Sequence, residues 1–65
     1  MHLKLNGRPL ETRADITVRA LLDQLALSGR VAVAVNGEVV PRADHEARVL
    51  REGDDIEVIQ AVAGG

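Results

Sequence analysis

Two Asn-Gly pairs, Asn6-Gly7 and Asn36-Gly37, do most to limit what this chain can fold into. Asn-Gly suits a type I′ turn, whose two central residues both need positive φ and whose twist matches that of paired strands. The first pair separates His2-Leu3-Lys4-Leu5 from Arg8-Pro9-Leu10-Glu11. The second separates Val31-Ala32-Val33-Ala34-Val35 from Glu38-Val39-Val40. The pattern predicts two β-hairpins. Pro9 has no N–H to give to a ladder, so its strand should be short or at a sheet edge.

Between the hairpins, Val18, Leu21, Leu22 and Leu25 fall at i, i+3, i+4 and i+7, the spacing of one apolar helix stripe. Thr17 stands just ahead as the expected N-cap, and Asp15 near the positive end of the helix dipole. Gly29 is placed to end the helix or turn the chain after it. In the following strand the valines 31, 33 and 35 should face the helix, with Ala32 and Ala34 on the other side. Pro41-Arg42-Ala43-Asp44 breaks the strand pattern, and residues 43–49 read as a short helical turn or an irregular crossing. Gly53 is expected to take the left-handed conformation in the turn from Leu50 to Asp54. The last strand should run from Asp55 to Val62, with Ile56 and Val58 inward and Glu57, Ile59 and Ala61 outward. Strand, strand, helix, strand, short strand, crossing, strand is the order of an α+β β-grasp fold. Such a fold wraps a mixed sheet of four to five strands over one helix. Residues 1–62 would form the domain and residues 63–65 a flexible diglycine tail, carried outward by a last strand that lies inside the sheet.

Composition narrows the functions open to such a fold. A chain of 65 residues buries only about 60% of its unfolded surface, so each apolar position matters. There is no Phe, Tyr, Trp or Cys. The core must be aliphatic, base stacking is unavailable, and no thiolate can act as nucleophile or zinc ligand. No apolar run approaches the ~20 residues that cross a bilayer, and no signal-peptide pattern opens the chain, so a soluble cytoplasmic protein without a membrane partner is expected. Residues 1–37 carry a net charge of +2 and residues 38–65 a net charge of −4. The acidic half ends in the diglycine, which points to a basic partner rather than to nucleic acid.

Catalytic groups are scarce. His2 and His45 lie in separate segments, are expected at the surface, and do not make a metal site. No phosphate-binding glycine loop is present. Glu52, Asp54, Asp55 and Glu57 lack calcium-loop spacing and read as a charged turn. Ser28 and Thr17 have no identifiable base. An enzyme with its own active site, or one with a bound cofactor, is not expected. What remains is the carboxylate of Gly65. A carboxylate resists nucleophiles, but joined to AMP it becomes a mixed anhydride. A sulfur nucleophile that displaces AMP leaves a thiocarboxylate, and a lysine amine leaves an isopeptide bond. Fully extended, Ala63-Gly64-Gly65 spans about 10 Å, enough to thread a partner's narrow channel. Glycine's missing side chain gives the clearance.

The chain resembles the ThiS family, the ubiquitin-like sulfur carriers of thiamine biosynthesis. The resemblance rests on the Asn6-Gly7 turn, the Thr17-Val18 helix start with Leu21-Leu22, and the run from Val31 to Arg42. It continues through Leu50-x-x-Gly53-Asp54-x-Ile56-Glu57 and closes with Gln60-Ala61-Val62-Ala63-Gly64-Gly65. Ala63 replaces a third glycine found in many members. The resemblance implies that an E1-like adenylyltransferase, using ATP, activates Gly65. A cysteine-derived persulfide then supplies sulfur, and the carrier delivers it to thiazole synthase. Gly64 and Ala63 would occupy the partner's channel, and Ile59, Glu57, Asp54 and Asp55 are candidates for docking. Other β-grasp carriers, such as the small subunit of molybdopterin synthase, those of tRNA thiolation and protein modifiers, share the diglycine chemistry. Molybdopterin-type members tend to be longer and to carry phenylalanines. The central segment also resembles S4-type RNA-binding domains, whose basic surface the acidic second half lacks.

Overall fold

Both Asn-Gly pairs turn the chain as expected. Asn6 and Gly7 have φ of 51° and 82°, and Asn36 and Gly37 have 52° and 82°. These values come from a computed structural model that describes residues 1–27 and 29–60. The first turn joins β1 (His2–Leu5) to β2 (Arg8–Glu11), and the second joins β3 (Val31–Val35) to β4 (Glu38–Val40). Between the hairpins lies α1 (Val18–Gln24). A 3₁₀ turn at Arg42–Asp44 follows β4, and β5 (Asp55–Gln60) completes the described chain. The continuation of β5 predicted for Ala61 and Val62 lies outside the described residues, as does the tail.

β5 enters the middle of the sheet, in the order β2-β1-β5-β3-β4. It runs parallel to β1, with Lys4 opposite Asp55 and Leu5 opposite Ile56. It runs antiparallel to β3, from Val31 opposite Gln60 to Val35 opposite Ile56. Five strands in a mixed sheet over one helix make a β-grasp. Pro9 sits on the edge strand β2, where its missing donor costs no ladder bond.

The two turn asparagines also hold β5. Beyond the end of β1, the Asn6 side chain continues the ladder: its Oδ1 accepts from Val58 N at 2.8 Å and its Nδ2 donates to Val58 O at 3.2 Å. Asn36 does the equivalent from the other hairpin. Its backbone N donates to Asp55 O at 2.7 Å, and its Oδ1 accepts from Asp55 N at 2.9 Å. Its Nδ2 donates to Asp54 Oδ1 at 3.0 Å.

The short helix depends on outside partners, because seven residues are too few for autonomous stability. Its first free donors are all met. Val18 N bonds Arg48 O, Arg19 N bonds His45 O, and Ala20 N bonds the Thr17 hydroxyl at 3.1 Å. The crossing segment is thus fastened to the helix start, and a further bond from Leu50 N to Ile16 O continues the seam. Thr17 caps as predicted. Asp15 lies two residues before this cap, and the first helical turn itself holds no acidic residue.

Gly29 does not end the helix. Ala26 does, at φ 57°, with Ala26 N bonded to Asp23 O and Leu27 N to Leu22 O, the paired bonds of a Schellman motif. Gly29, at φ 80°, turns the chain toward β3 instead. Of the two roles open to the glycine, it takes the second, because the capping bonds fix the helix-ending left-handed residue three positions earlier.

The core is aliphatic. Leu3, Val33, Val35, Val40, Ile56 and Val58 from the sheet meet Val18, Leu21 and Leu22 from the helix, with Ile16 and Leu50 closing the edges. Each contributes on the order of 1.5–3 kcal/mol when fully buried. His45 is not at the surface as expected. It is 5% exposed, and its Nε2 donates to Val40 O at 3.1 Å. The carbonyl cannot donate, so Nε2 carries the hydrogen. A buried imidazole with such a partner serves the crossing segment rather than solvent.

Two substitutions test these anchors. Asn6→Asp keeps a residue that tolerates positive φ but sets a second oxygen against Val58 O, and should cost about 1–3 kcal/mol in urea unfolding. An unchanged stability would reduce Asn6 to a turn former. Ala26→Gly should raise stability by about 0.5–1 kcal/mol by removing the Cβ penalty of the left-handed conformation. A loss of stability would contradict the Schellman assignment.

Candidate functional site

Alternation along β5 sorts its residues onto two faces. Ile56 and Val58 point into the core, while Asp55, Glu57 and Ile59 lie on the helix-free face. Ile59 is 68% exposed, so it does not pack beneath the crossing segment. Its neighbour across the ladder is Ala32, and Glu57 stands opposite Ala34. Ala34 in turn pairs with Val39, which is 76% exposed. The small alanines of β3 leave Ile59 and Val39 standing as two apolar projections on this face.

The four predicted docking residues do not form one patch. Asp54 is half-buried, and both its carboxylate oxygens are engaged, Oδ1 with Asn36 Nδ2 and Oδ2 with Arg51 N at 2.9 Å. It therefore shapes the turn before β5. Asp55 begins the strand beside Lys4 of β1. Only Glu57 and Ile59 lie further along toward the exit. Glu52, not among those four, accepts from His2 N at 3.0 Å and lies 3.4 Å from the His2 ring. Among the described residues, no three His, Cys, Asp or Glu side chains converge as a metal site, and no helix is long and apolar enough to cross a membrane.

The charge halves of the sequence are not halves of the molecule. Glu52, Asp54 and Asp55 gather where β5 begins, and the exit end of the described strand, at Gln60, is about 16 Å away. At that exit Gln60 pairs with Val31. Arg30 and Arg42 line an open depression of about 290 Å³ there, together with Val31, Ala32 and Ile59. The exit is thus bordered by arginines and apolar groups, and the acidic cluster implied by the second half lies at the far end. Sequence order missed this because β3 starts, and β4 ends, beside the end of β5. Arg30, from the basic half, and Arg42, from the acidic half, meet there only in the folded sheet. The predicted site residues Gly65, Gly64 and Ala63 lie outside the described residues.

A crystal structure of the thiamine biosynthesis protein ThiS from Geobacter metallireducens superimposes with a TM-score of 0.85 at 32% identity, each chain covered in full. The sulfur carrier protein ThiS of Escherichia coli is 33% identical over 66 aligned residues, covering both chains entirely. A thiazole synthase of Paramagnetospirillum magneticum is 36% identical across the whole of this chain, which spans a fifth of that relative's length. The ThiS family model matches residues 3–65, from the first strand through the terminal glycine, and the chain belongs to the ThiS family.

Proposed function

We propose that this protein is a sulfur carrier of thiamine biosynthesis and that its reacting group is the Gly65 carboxylate. The observation that carries this reading is the position of the diglycine. It follows the central strand of a β-grasp whose described residues hold no group of three His, Cys, Asp or Glu side chains that could bind a metal. Membership of the ThiS family supports it.

The chemistry takes place in partners. A Gly65 carboxylate oxygen attacks the α-phosphorus of ATP on an E1-like enzyme, and pyrophosphate leaves. The terminal sulfur of a persulfide then attacks the acyl carbon and AMP leaves, giving an acyl disulfide. A thiol breaks the S–S bond, is itself oxidised to the disulfide, and frees the thiocarboxylate. This chain contributes reach, clearance and presentation: Ala63, Gly64 and Gly65 enter the channel, and Ile59 meets the partner outside it, with Glu57 further from the tail. Asp55 lies beyond them, and Asp54 acts from within its turn. The sulfur acceptor in this reading is thiazole synthase. It is supported by the Paramagnetospirillum relative, in which a segment similar to this entire chain belongs to the same polypeptide as a thiazole synthase.

Intact-mass analysis after incubation with the host's E1-like enzyme, ATP and a persulfide donor should show oxygen replaced by sulfur on a single carboxylate. Gly64→Val should keep the melting temperature of the parent and lower the loading rate at least tenfold, because a β-branched side chain widens the tail and restricts its backbone. No sulfur gain in the parent protein overturns the proposal, and normal loading of the valine variant overturns the channel role of Gly64.

A further inference from the structure

We infer that the exit end of the sheet carries a specificity site for the activating enzyme. There Arg30 and Arg42 recognise carboxylates that border an apolar side chain at the mouth of the enzyme's channel. The inference rests on the sulfur-carrier reading and adds the chemistry of the surface that the carrier selects.

Three features of the fold assemble this site. Arg30 directly precedes Val31, which pairs with Gln60, the last described residue of β5. Arg42 follows Pro41 at the end of β4, whose Val40 is opposite Val33. Both arginines line the depression formed with Val31, Ala32 and Ile59. The site therefore sits at the end of β5 from which residues 61–65 continue, within reach of an enzyme that holds Gly65. With Ile59 68% exposed beside Ala32, the depression offers an apolar contact within a cationic border.

The arginines are free for such a role. Arg19 is committed to Asp23 at 3.4 Å on the helix, but neither Arg30 nor Arg42 forms an ion pair among the described residues. Arginine's planar fork favours bidentate pairing with carboxylates, and its weak hydration suits a partly apolar interface. Among the described residues no carboxylate lines the depression beside them, and Glu52, Asp54 and Asp55 lie at the start of β5. Charge complementarity thus selects an acidic mouth around an apolar knob. A basic mouth would meet two unpaired arginines and be rejected. This reverses the partner charge that the sequence halves imply.

The test is the rate of thiocarboxylate formation by the E1-like enzyme at low ionic strength. Arg30→Glu/Arg42→Glu should lower kcat/KM at least tenfold, through KM, with kcat retained at saturating carrier. Arg8→Glu/Arg13→Glu changes the net charge equally at the other side of the sheet and should lower it less than threefold. Arg30→Lys/Arg42→Lys should keep most of the rate. Raising the salt should narrow the gap between the parent and the exit variant. Circular dichroism should give all variants the same melting temperature, since the replaced side chains are exposed. If the parent takes up sulfur and the exit variant matches it at low salt, or if both double variants fall equally, the specificity site is refuted. If the parent takes up none, it is the sulfur-carrier reading that fails.

Discussion

The structure depends on the seating of β5. This strand arrives last in the chain yet occupies the centre of the sheet, parallel to β1 and antiparallel to β3. It supplies Ile56 and Val58 to the core, and Ile56 is wholly buried. Pairing a C-terminal strand with an N-terminal one closes a long loop, and the entropy of closure must be offset by bonds and burial. Asn6 and Asn36 meet much of that need. Each turns its own hairpin and then bonds the backbone of β5 with its side-chain amide. One residue type thus sets local chain direction and long-range register together.

That seating gives the domain its use. With β1 beside its start and β3 along it to Gln60, the direction of β5 is set by the sheet. A core without aromatic residues suffices because the helix and the crossing segment share their free polar groups. The donors at the start of α1 bond carbonyls of residues 45 and 48, and the buried His45 ring reaches back to Val40. The helix holds the crossing, and the crossing delivers the chain to β5, the last described element. In the proposed reading, chemistry is left to partners and recognition falls to the surface near the exit.

Much of the fold was legible in the sequence. The Asn-Gly pairs, the i, i+3, i+4, i+7 stripe and the alternation in β3 and β5 are local patterns, and each holds in the structure. Ile59 on the outer face follows from the same period of two. What stayed hidden depends on distant contacts. The second role of the asparagines was invisible because turn geometry already explained them. Ala26 ends the helix because two capping bonds require it, although a glycine lies three residues on. His45 is buried because its ring finds a carbonyl that only the folded crossing supplies. The arginines at the exit come from opposite charge halves, so no sum along the chain could pair them.

The claim at the centre of this account is that folding and docking belong to the domain while the sulfur chemistry belongs to the tail. A chain ending at Ala63 tests that separation in one kinetic measurement, as an inhibitor of loading of the full-length carrier. The account predicts a melting temperature equal to that of the full chain and competitive inhibition, with an inhibition constant within tenfold of the carrier's KM and no sulfur taken up by the shortened chain. A truncated chain that unfolds, fails to compete, or still gains sulfur would contradict it.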